Sequence, residues 1–434
     1  MGVVTDPPVL QWRVDRSPSA GCRGWLRCRV DLRGLPRARC LQALTQQGGG
    51  GTTSGVTRIV DSDQHLYESR SLWAHHINPA ARDDALTLVD DELGYTWLSW
   101  HGAHLGLADV HLPGNTASCG EYRNRQRAGE PASYRYDEAL PAAYWQPASR
   151  VRWLDEAGLD EAVLFPNFGL LWERRLSPSL PAMTANMTAW NRWCAVVRTE
   201  GGGRLHPVAH LTLRDPEWLV AELDTLAGAG ITLAMIGAGP VDGRELSHPE
   251  HDRIWSAFVD HAVTPVFHVA DQVRVFDDCW YQDDPVQDLV PTTEAVFLWV
   301  PPALALSDLI LHGVFDRHPR LRFGVVELSS AWVPQFLMML DGAFAFTTQL
   351  NGKPVAKLSR RPSEYFLDHV RVSSFSYENP KQLAKMTGDV FMFCSDYPHS
   401  EGTATPLDDY RRMGCEEQEM PGLFHTNVDS LLNR

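Results

Sequence analysis

From Arg58 onward, short apolar runs alternate with longer stretches of helical period, the pattern of parallel strand and helix units. Eight runs of strand type stand out, at 58–63, 161–166, 206–212, 231–236, 264–269, 321–327, 370–374 and 390–395. Between them, residues 216–228 begin with a proline behind Asp215, a good N-cap, and stop near Gly228 and Gly230, which predicts a helix. Residues 249–262 likewise start at Pro249 and place Ile254, Trp255, Phe258 and Val259 on one face. A third helix is expected from Ser307 to Asp316, with His312 inside it. Eight strands separated by helices predict an α/β fold, a closed (β/α)8 TIM barrel.

Two connections are too long for plain barrel loops. Residues 69–150 are rich in Trp, Tyr, His and charge, and residues 271–302 carry Phe276, Trp280, Tyr281, Phe297 and Trp299 among acidic positions. Active sites of parallel barrels lie at the C-terminal strand ends, so insertions after the first and fifth strands are expected to overhang the mouth. Residues 1–55 differ from the rest. Eight arginines there (Arg13, Arg16, Arg23, Arg27, Arg29, Arg33, Arg37 and Arg39) face only three aspartates, no sustained period is visible, and a glycine run follows. That reads as a flexible, disordered leader ahead of a barrel domain at 56–434.

Composition narrows the classes. A 434-residue chain that is 44% hydrophobic can bury a full core, and a formal charge of −15 argues against a nucleic-acid partner. No run of about 18 uncharged apolar residues and no secretory signal pattern occur, so no membrane partner is expected and the cytoplasm is the default. The eight cysteines form no CxxC pair and read as mostly free thiols. A small molecule is the expected partner, with a homodimer as the commonest assembly.

The chemistry concentrates at three strand ends. In Val60-Asp61-Ser62-Asp63-Gln64-His65, strand alternation puts Asp63 and His65 on one face, a two-point claw for a divalent ion. Thr264 to Val269 is a buried-looking strand that ends near His268, and Val390 to Cys394 runs straight into Asp396, Pro398 and His399. An aspartate in that place serves either as a helix cap or as a catalytic group. Carboxylates and imidazoles on strands one, five and eight match one another only in a barrel built around a metal. Glu327, at the end of the sixth strand, and His399, on the loop after Asp396, are candidates for positioning water or substrate, as is His312. Nucleophile-elbow, phosphate-loop and dinucleotide motifs are absent.

The stretches IVDSDQHLYE, FPNFG, PVFHV, LILHGVFDRHPRLRFGVVELSSAWVP and CSDYPHSEG resemble the amidohydrolase-related (amidohydrolase 2) family, across roughly Arg58 to Leu432. This family includes metal-dependent hydrolases and the aminocarboxymuconate-semialdehyde decarboxylase group. The resemblance implies one divalent ion, zinc with manganese or iron as alternatives, held by Asp63, His65, His268 and Asp396. Many relatives have His where Asp63 stands, and a carboxylate there hardens the site toward manganese. Some relatives carry a catalytic histidine where Glu327 stands. The expected activity is hydrolysis by metal-activated water, with Asp396 accepting the proton. Non-oxidative decarboxylation on the same scaffold is the alternative, and a barrel that has lost catalysis and only binds is the third reading.

Overall fold

The computed structural model describes residues 58–108, 116–270, 274–281 and 290–434. The expected leader at 1–55 and parts of the second long connection, 271–273 and 282–289, lie outside the described residues.

The strands in chain order are β1 (Val60–Leu66), β2 (Thr87–Asp90), β3 (Thr96–Trp100), β4 (Ala103–Leu107), β5 (Glu161–Pro166) and β6 (Leu205–Pro207). They continue with β7 (Ala209–His210), β8 (Leu233–Met235), β9 (Thr264–His268), β10 (Phe323–Val326), β11 (Val370–Ser374) and β12 (Phe391–Phe393). β1, β5 and β6 pair in parallel, and β7 through β12 pair in parallel in sequence order. Val208 joins the two sets: its N–H donates to Leu164 O at 2.8 Å, while Leu211 N donates to Met235 O at 3.0 Å. At the other seam His65 N donates to Tyr397 O at 2.8 Å and Asp396 N to Asp63 O at 2.9 Å, which closes the cylinder. The result is a (β/α)8 barrel, with β6 and β7 together supplying the third barrel strand.

Period-two alternation explains the two apolar layers. Val60, Val163, Phe165, Val208, Leu233, Met235, Val266, Val326 and Met392 cluster inside the barrel, joined by Val428, Leu431 and Leu432 near the C-terminus. Thr264 Oγ1 donates to Leu431 O at 2.7 Å, so the C-terminal helix Asn427–Leu431 sits against the N-terminal ends of the strands. Phe267, Phe323, Val325, Val372, Phe391 and Phe393 point outward into the larger core shared with the helices. Each such side chain, fully buried, stabilises the fold by about 1.5–3 kcal/mol relative to exposure.

The helices form as the chain dictates. Asp215 accepts from Trp218 N at 3.0 Å and caps Pro216–Gly228, which buries Leu219, Leu223 and Leu226. Helix Asp252–Asp260 buries Ile254, Trp255 and Phe258 after a short 3-10 turn at Pro249–His251. The expected helix from Ser307 to Asp316 is displaced. A helix covers Val300–Leu311, and His312 is its C-cap, because Gly313 adopts φ 71° and breaks the run before Val314–Arg317. Residues 69–150 hold several helices and an antiparallel sheet of order β2, β3, β4. The hairpin between β3 and β4 turns at His101 and Gly102, both with positive φ, as a two-residue turn requires.

Candidate metal centre

Asp63 and His65 leave β1 on one face, as strand geometry requires, and both are fully buried. On β9 Thr264, Val266 and His268 alternate, with Val266 inside the barrel, so His268 points inward at the C-terminal end. β10 places Val326 inside, and strict alternation would send Glu327 outward. Glu327 instead adopts φ 56°, and its carboxylate turns toward the two histidines. Asp396 also has positive φ, 55°, and the next helix, Pro406–Arg412, starts ten residues later. It therefore caps no helix. Such backbone costs on the order of 1–3 kcal/mol per residue and collects where side-chain aim matters more than stability.

The side chains converge. His65 Nε2 lies 3.1 Å from Asp396 Oδ1, 3.4 Å from Glu327 Oε2 and 3.5 Å from Asp63 Oδ1. His268 Nε2 lies 3.1 Å from Glu327 Oε2 and 3.5 Å from Asp63 Oδ1. Asp63, His65, His268 and Glu327 offer donor atoms all within 4.8 Å of one another, as do His65, Glu327, Asp396 and His399. Donors about 2.0–2.2 Å from a shared ion fall within that span. His312 is not part of the cluster: it lies on the exposed side with Nδ1 2.9 Å from Asp308 Oδ1, so the role expected for it is corrected to that of a helix C-cap.

Both carboxylate oxygens of Asp63 and of Asp396, Glu327 Oε2, and Nε2 of His65 and His268 are buried with no hydrogen bond of normal geometry. A buried polar atom left so costs roughly 1–3 kcal/mol, more when charged, so a group of them around one point fits a cation. The other imidazole nitrogens are satisfied. His65 Nδ1 donates to Pro166 O at 2.9 Å and His268 Nδ1 to Val269 O at 2.8 Å, which leaves each Nε2 with its lone pair toward the cluster. The residues present thus fit a divalent ion of oxygen-preferring character, with three carboxylates against two imidazoles.

Burial pushes Asp63 up to about 6 against the pull of His268, and pushes Asp396 up to about 7 with Glu327 adding repulsion. Burial alone would lower His268, yet Glu327 and Asp63 outweigh it and lift the ring to about 9, the same carboxylate charge that a cation at Nε2 would meet in place of the proton. His399 goes the other way, down to about 3, through burial and the neighbouring His65, on which its ring stacks at 3.7 Å. His399 is therefore neutral. Its Nε2 donates to Asn167 Oδ1 at 3.1 Å, so Nδ1, 3.2 Å from Asp396 Oδ1, is a proton acceptor.

A buried polar layer behind the cluster was not legible beforehand. Asp61 Oδ1 accepts from Asp63 N at 3.1 Å and Ser395 N at 3.0 Å, and Asp61 Oδ2 accepts from Gln64 Nε2 at 2.8 Å. Gln64 Oε1 accepts from Arg150 Nη1 at 3.0 Å, while Arg150 Nη2 donates to His65 O at 2.7 Å. Beside His268 a cleft is lined by Arg274, Phe276, Tyr281, Phe297 and Leu328. The Arg274 guanidinium lies 3.9 Å from the Tyr281 ring centre, a cation–π contact.

Residues 61–433 match the amidohydrolase family model. The chain belongs to the amidohydrolase family. No curated protein matches it. Among solved structures it is similar to an amidohydrolase from Mycobacterium avium subsp. paratuberculosis, at 22% identity over 86% of this chain and 99% of that one, TM-score 0.67. It is also similar to 5-carboxyvanillate decarboxylase from Novosphingobium aromaticivorans, complexed with manganese and 4-hydroxy-3-methoxy-5-nitrobenzoic acid, at 18% identity, 87% and 96% coverage, TM-score 0.59. A third is 2,6-dihydroxybenzoate decarboxylase from Rhizobium, at 15% identity, 87% and 99% coverage, TM-score 0.55. At these identities the likeness establishes a shared fold. Membership in this metal-dependent family agrees with the donor cluster, and among the described residues no helix is long and apolar enough to cross a membrane.

Proposed function

We propose that this amidohydrolase-family chain is a metal-dependent carboxy-lyase that removes CO2 from a small aromatic carboxylic acid. The observation that carries the reading is the convergence of buried donor atoms lacking hydrogen bonds on Asp63, His65, His268, Glu327 and Asp396, with the arginine and aromatic cleft opening beside His268. Asp63, His65 and His268 hold the ion, and the carboxylates of Asp396 and Glu327 close the set. The ion, manganese or zinc, supplies an electrostatic anchor for substrate oxygens and steadies negative charge as it develops.

The remaining work falls to the chain. Asp396 is the carboxyl with a neutral imidazole beside it, since His399 Nδ1 faces Asp396 Oδ1. The imidazole of His399, 3.2 Å from that carboxyl, can take up and return its proton. As the bond to the carboxylate breaks, its electron pair stays on the ring carbon, and a proton from Asp396 completes the new C–H bond. The stack of His399 on His65 keeps the imidazole beside that carboxyl. Arg274, Phe276, Tyr281 and Phe297 of the second long connection line the cleft beside His268 and form one wall of the substrate entrance. Solved neighbours that are decarboxylases, one of them holding manganese and a nitrobenzoic acid, favour this over the hydrolytic reading drawn from the sequence.

The test is turnover of a panel of hydroxybenzoic acids by manganese- or zinc-loaded protein. CO2 release with deuterium from D2O on the vacated ring carbon is expected. Cleavage of amides, esters or lactones with 18O from water in the product and no CO2 would assign hydrolysis instead.

A further inference from the structure

The chain leaves β5 as Pro166-Asn167-Phe168-Gly169, and a 3-10 helix at Phe168–Leu170 follows Asn167 directly. An asparagine in that place ordinarily turns its side-chain oxygen back onto the first free amides of the helix. Asn167 makes no such cap. Its Oδ1 is directed across to the loop after β12, where it accepts from His399 Nε2 at 3.1 Å. The amides it leaves are met by Glu68, just beyond the end of β1. One carboxylate oxygen accepts from Phe168 N at 2.9 Å and the other from Gly169 N at 2.8 Å. Glu68 is fully buried, so its carboxylate has given up hydration, and these two amide bonds offset that loss.

The residue before Asn167 has a matching task. β1 and β5 pair in parallel with His65 beside Phe165 and Leu66 beside Pro166, and Pro166 O accepts from His65 Nδ1 at 2.9 Å. Consecutive residues of one turn therefore orient two stacked imidazoles whose ring centres are 3.7 Å apart, His65 through a backbone carbonyl and His399 through a side-chain oxygen. Each bond fixes which nitrogen carries hydrogen, and so turns the lone pair of the other toward the cluster. The turn is built tightly. A Cβ at Gly169 would fall 2.4 Å from Pro166 Cβ and 3.4 Å from Glu68 Oε1, so a side chain there would drive the amide off the carboxylate. Tyr136 Oη, from the first long connection, donates to Glu68 O at 2.9 Å and anchors the backbone of the glutamate.

We propose that Asn167 and Glu68 are positioning residues of this site. Asn167 sets the tautomer of His399 so that Nδ1 faces Asp396, and Glu68 holds the turn so that Pro166 and Asn167 meet both imidazoles at once. Neither side chain belongs to the donor cluster itself. The consequence for turnover rests on the role given above to His399; the tautomer and the metal affinity do not.

The full chain, labelled with 15N-histidine and loaded with zinc, reports the tautomer by NMR, the His399 signals being those lost in His399→Gln. The parent is expected to carry hydrogen on Nε2 of His399. Asn167→Leu removes the acceptor and is expected to release that preference and to lower kcat on the acid identified by the panel about 10- to 100-fold, with KM and zinc affinity unchanged. Asn167→Asp keeps an oxygen toward Nε2 and is expected to retain the tautomer and recover most of kcat. Glu68→Gln sets a donor against one of the two amides. It is expected to weaken zinc binding in chelator competition about 10-fold as well as lowering kcat, because the same turn carries the carbonyl that orients His65. Hydrogen on Nδ1 of His399 in the parent, an unchanged tautomer in Asn167→Leu, or parent-like zinc affinity in Glu68→Gln overturns the proposal. Tautomer and affinity are read without substrate, so a parent that cleaves amides and releases no CO2 refutes the proposed reaction and leaves these outcomes standing.

Discussion

Removing the carboxylate of Asp61 is expected to weaken metal binding and stability together, although Asp61 reaches no ion itself. The side chain is fully buried and ties β1 to the segment after β12 by accepting from the backbone of Asp63 and of Ser395, and it also holds Gln64. Asp61→Ala strands three buried donors. Each unmet donor costs about 1–3 kcal/mol, and water entering the vacated space recovers part, which leaves a loss of about 3 kcal/mol. Because two of those amides flank the ligand positions 63 and 396, the apparent metal affinity is expected to fall about 10- to 100-fold, as with other residues that orient ligands. Ser62→Ala is the control. Ser62 Oγ donates to Phe393 O at 2.8 Å, another buried tie between the same two strands, but it touches no ligand residue. Its loss is expected to cost about 1 kcal/mol with metal affinity unchanged. Asp61→Asn keeps an oxygen for both backbone amides but sets its Nδ2 against Gln64 Nε2, donor against donor, and is expected to fall between the two. The assays are competitive chelator titration and thermal unfolding of each variant. Parent-like affinity in Asp61→Ala, or an equal drop in Ser62→Ala, would refute the positioning argument.

Three further outcomes are expected. Asp396→Asn retains the shape of the site but not the exchangeable proton, and kcat is expected to fall about 10²- to 10⁴-fold, whereas His312→Ala, at a half-exposed helix end, leaves kcat and KM unchanged; both are read by steady-state kinetics. At the opposite end of the barrel, burial would raise Glu161, but His206 and Arg434 outweigh it and hold its pKa near 2. A folded pKa below the unfolded value contributes stability that is present above about 4.5 and lost as pH falls toward 2. Discounted for partial solvent contact, that contribution is about 1–2 kcal/mol. Glu161→Gln is therefore expected to lose this much at pH 7 and almost nothing at pH 2, by denaturant unfolding at the two pH values.

Much of the barrel was legible because apolar alternation is local. Seven of the eight runs coincide with single strands to within a few residues, and the eighth, 206–212, is interrupted at Val208, where one backbone serves two neighbours. The first strand extends to Leu66 rather than stopping at 63, because pairing with β5 and the seam at Tyr397 carry it onward, and that extension places His65 beside Asp63. The sheet β2, β3, β4 carried a readable signal in His101 and Gly102 between TWLSW and AHLGL, obscured by the mix of Trp and His around it. The apolar period runs on past Leu311, but Gly313 at φ 71° ends the helix and puts His312 at its C-cap.

What sequence pattern could not supply is aim. Nothing in the alternation around Val326 tells that Glu327 turns inward; that follows from a positive φ which only the assembled barrel enforces. Nor does any periodicity connect Asp61 with Ser395, 334 positions apart, or Gln64 with Arg150, 86 apart. A strand can present two ligands by its own pleat, but fixing them against a third and a fourth requires buried hydrogen bonds between elements that meet only when the cylinder closes. Metal affinity in this fold is therefore coupled to barrel closure at the seam between residues 61–65 and 395–397. Substitutions there, more than at the cluster's outer rim, should show stability and metal binding falling together.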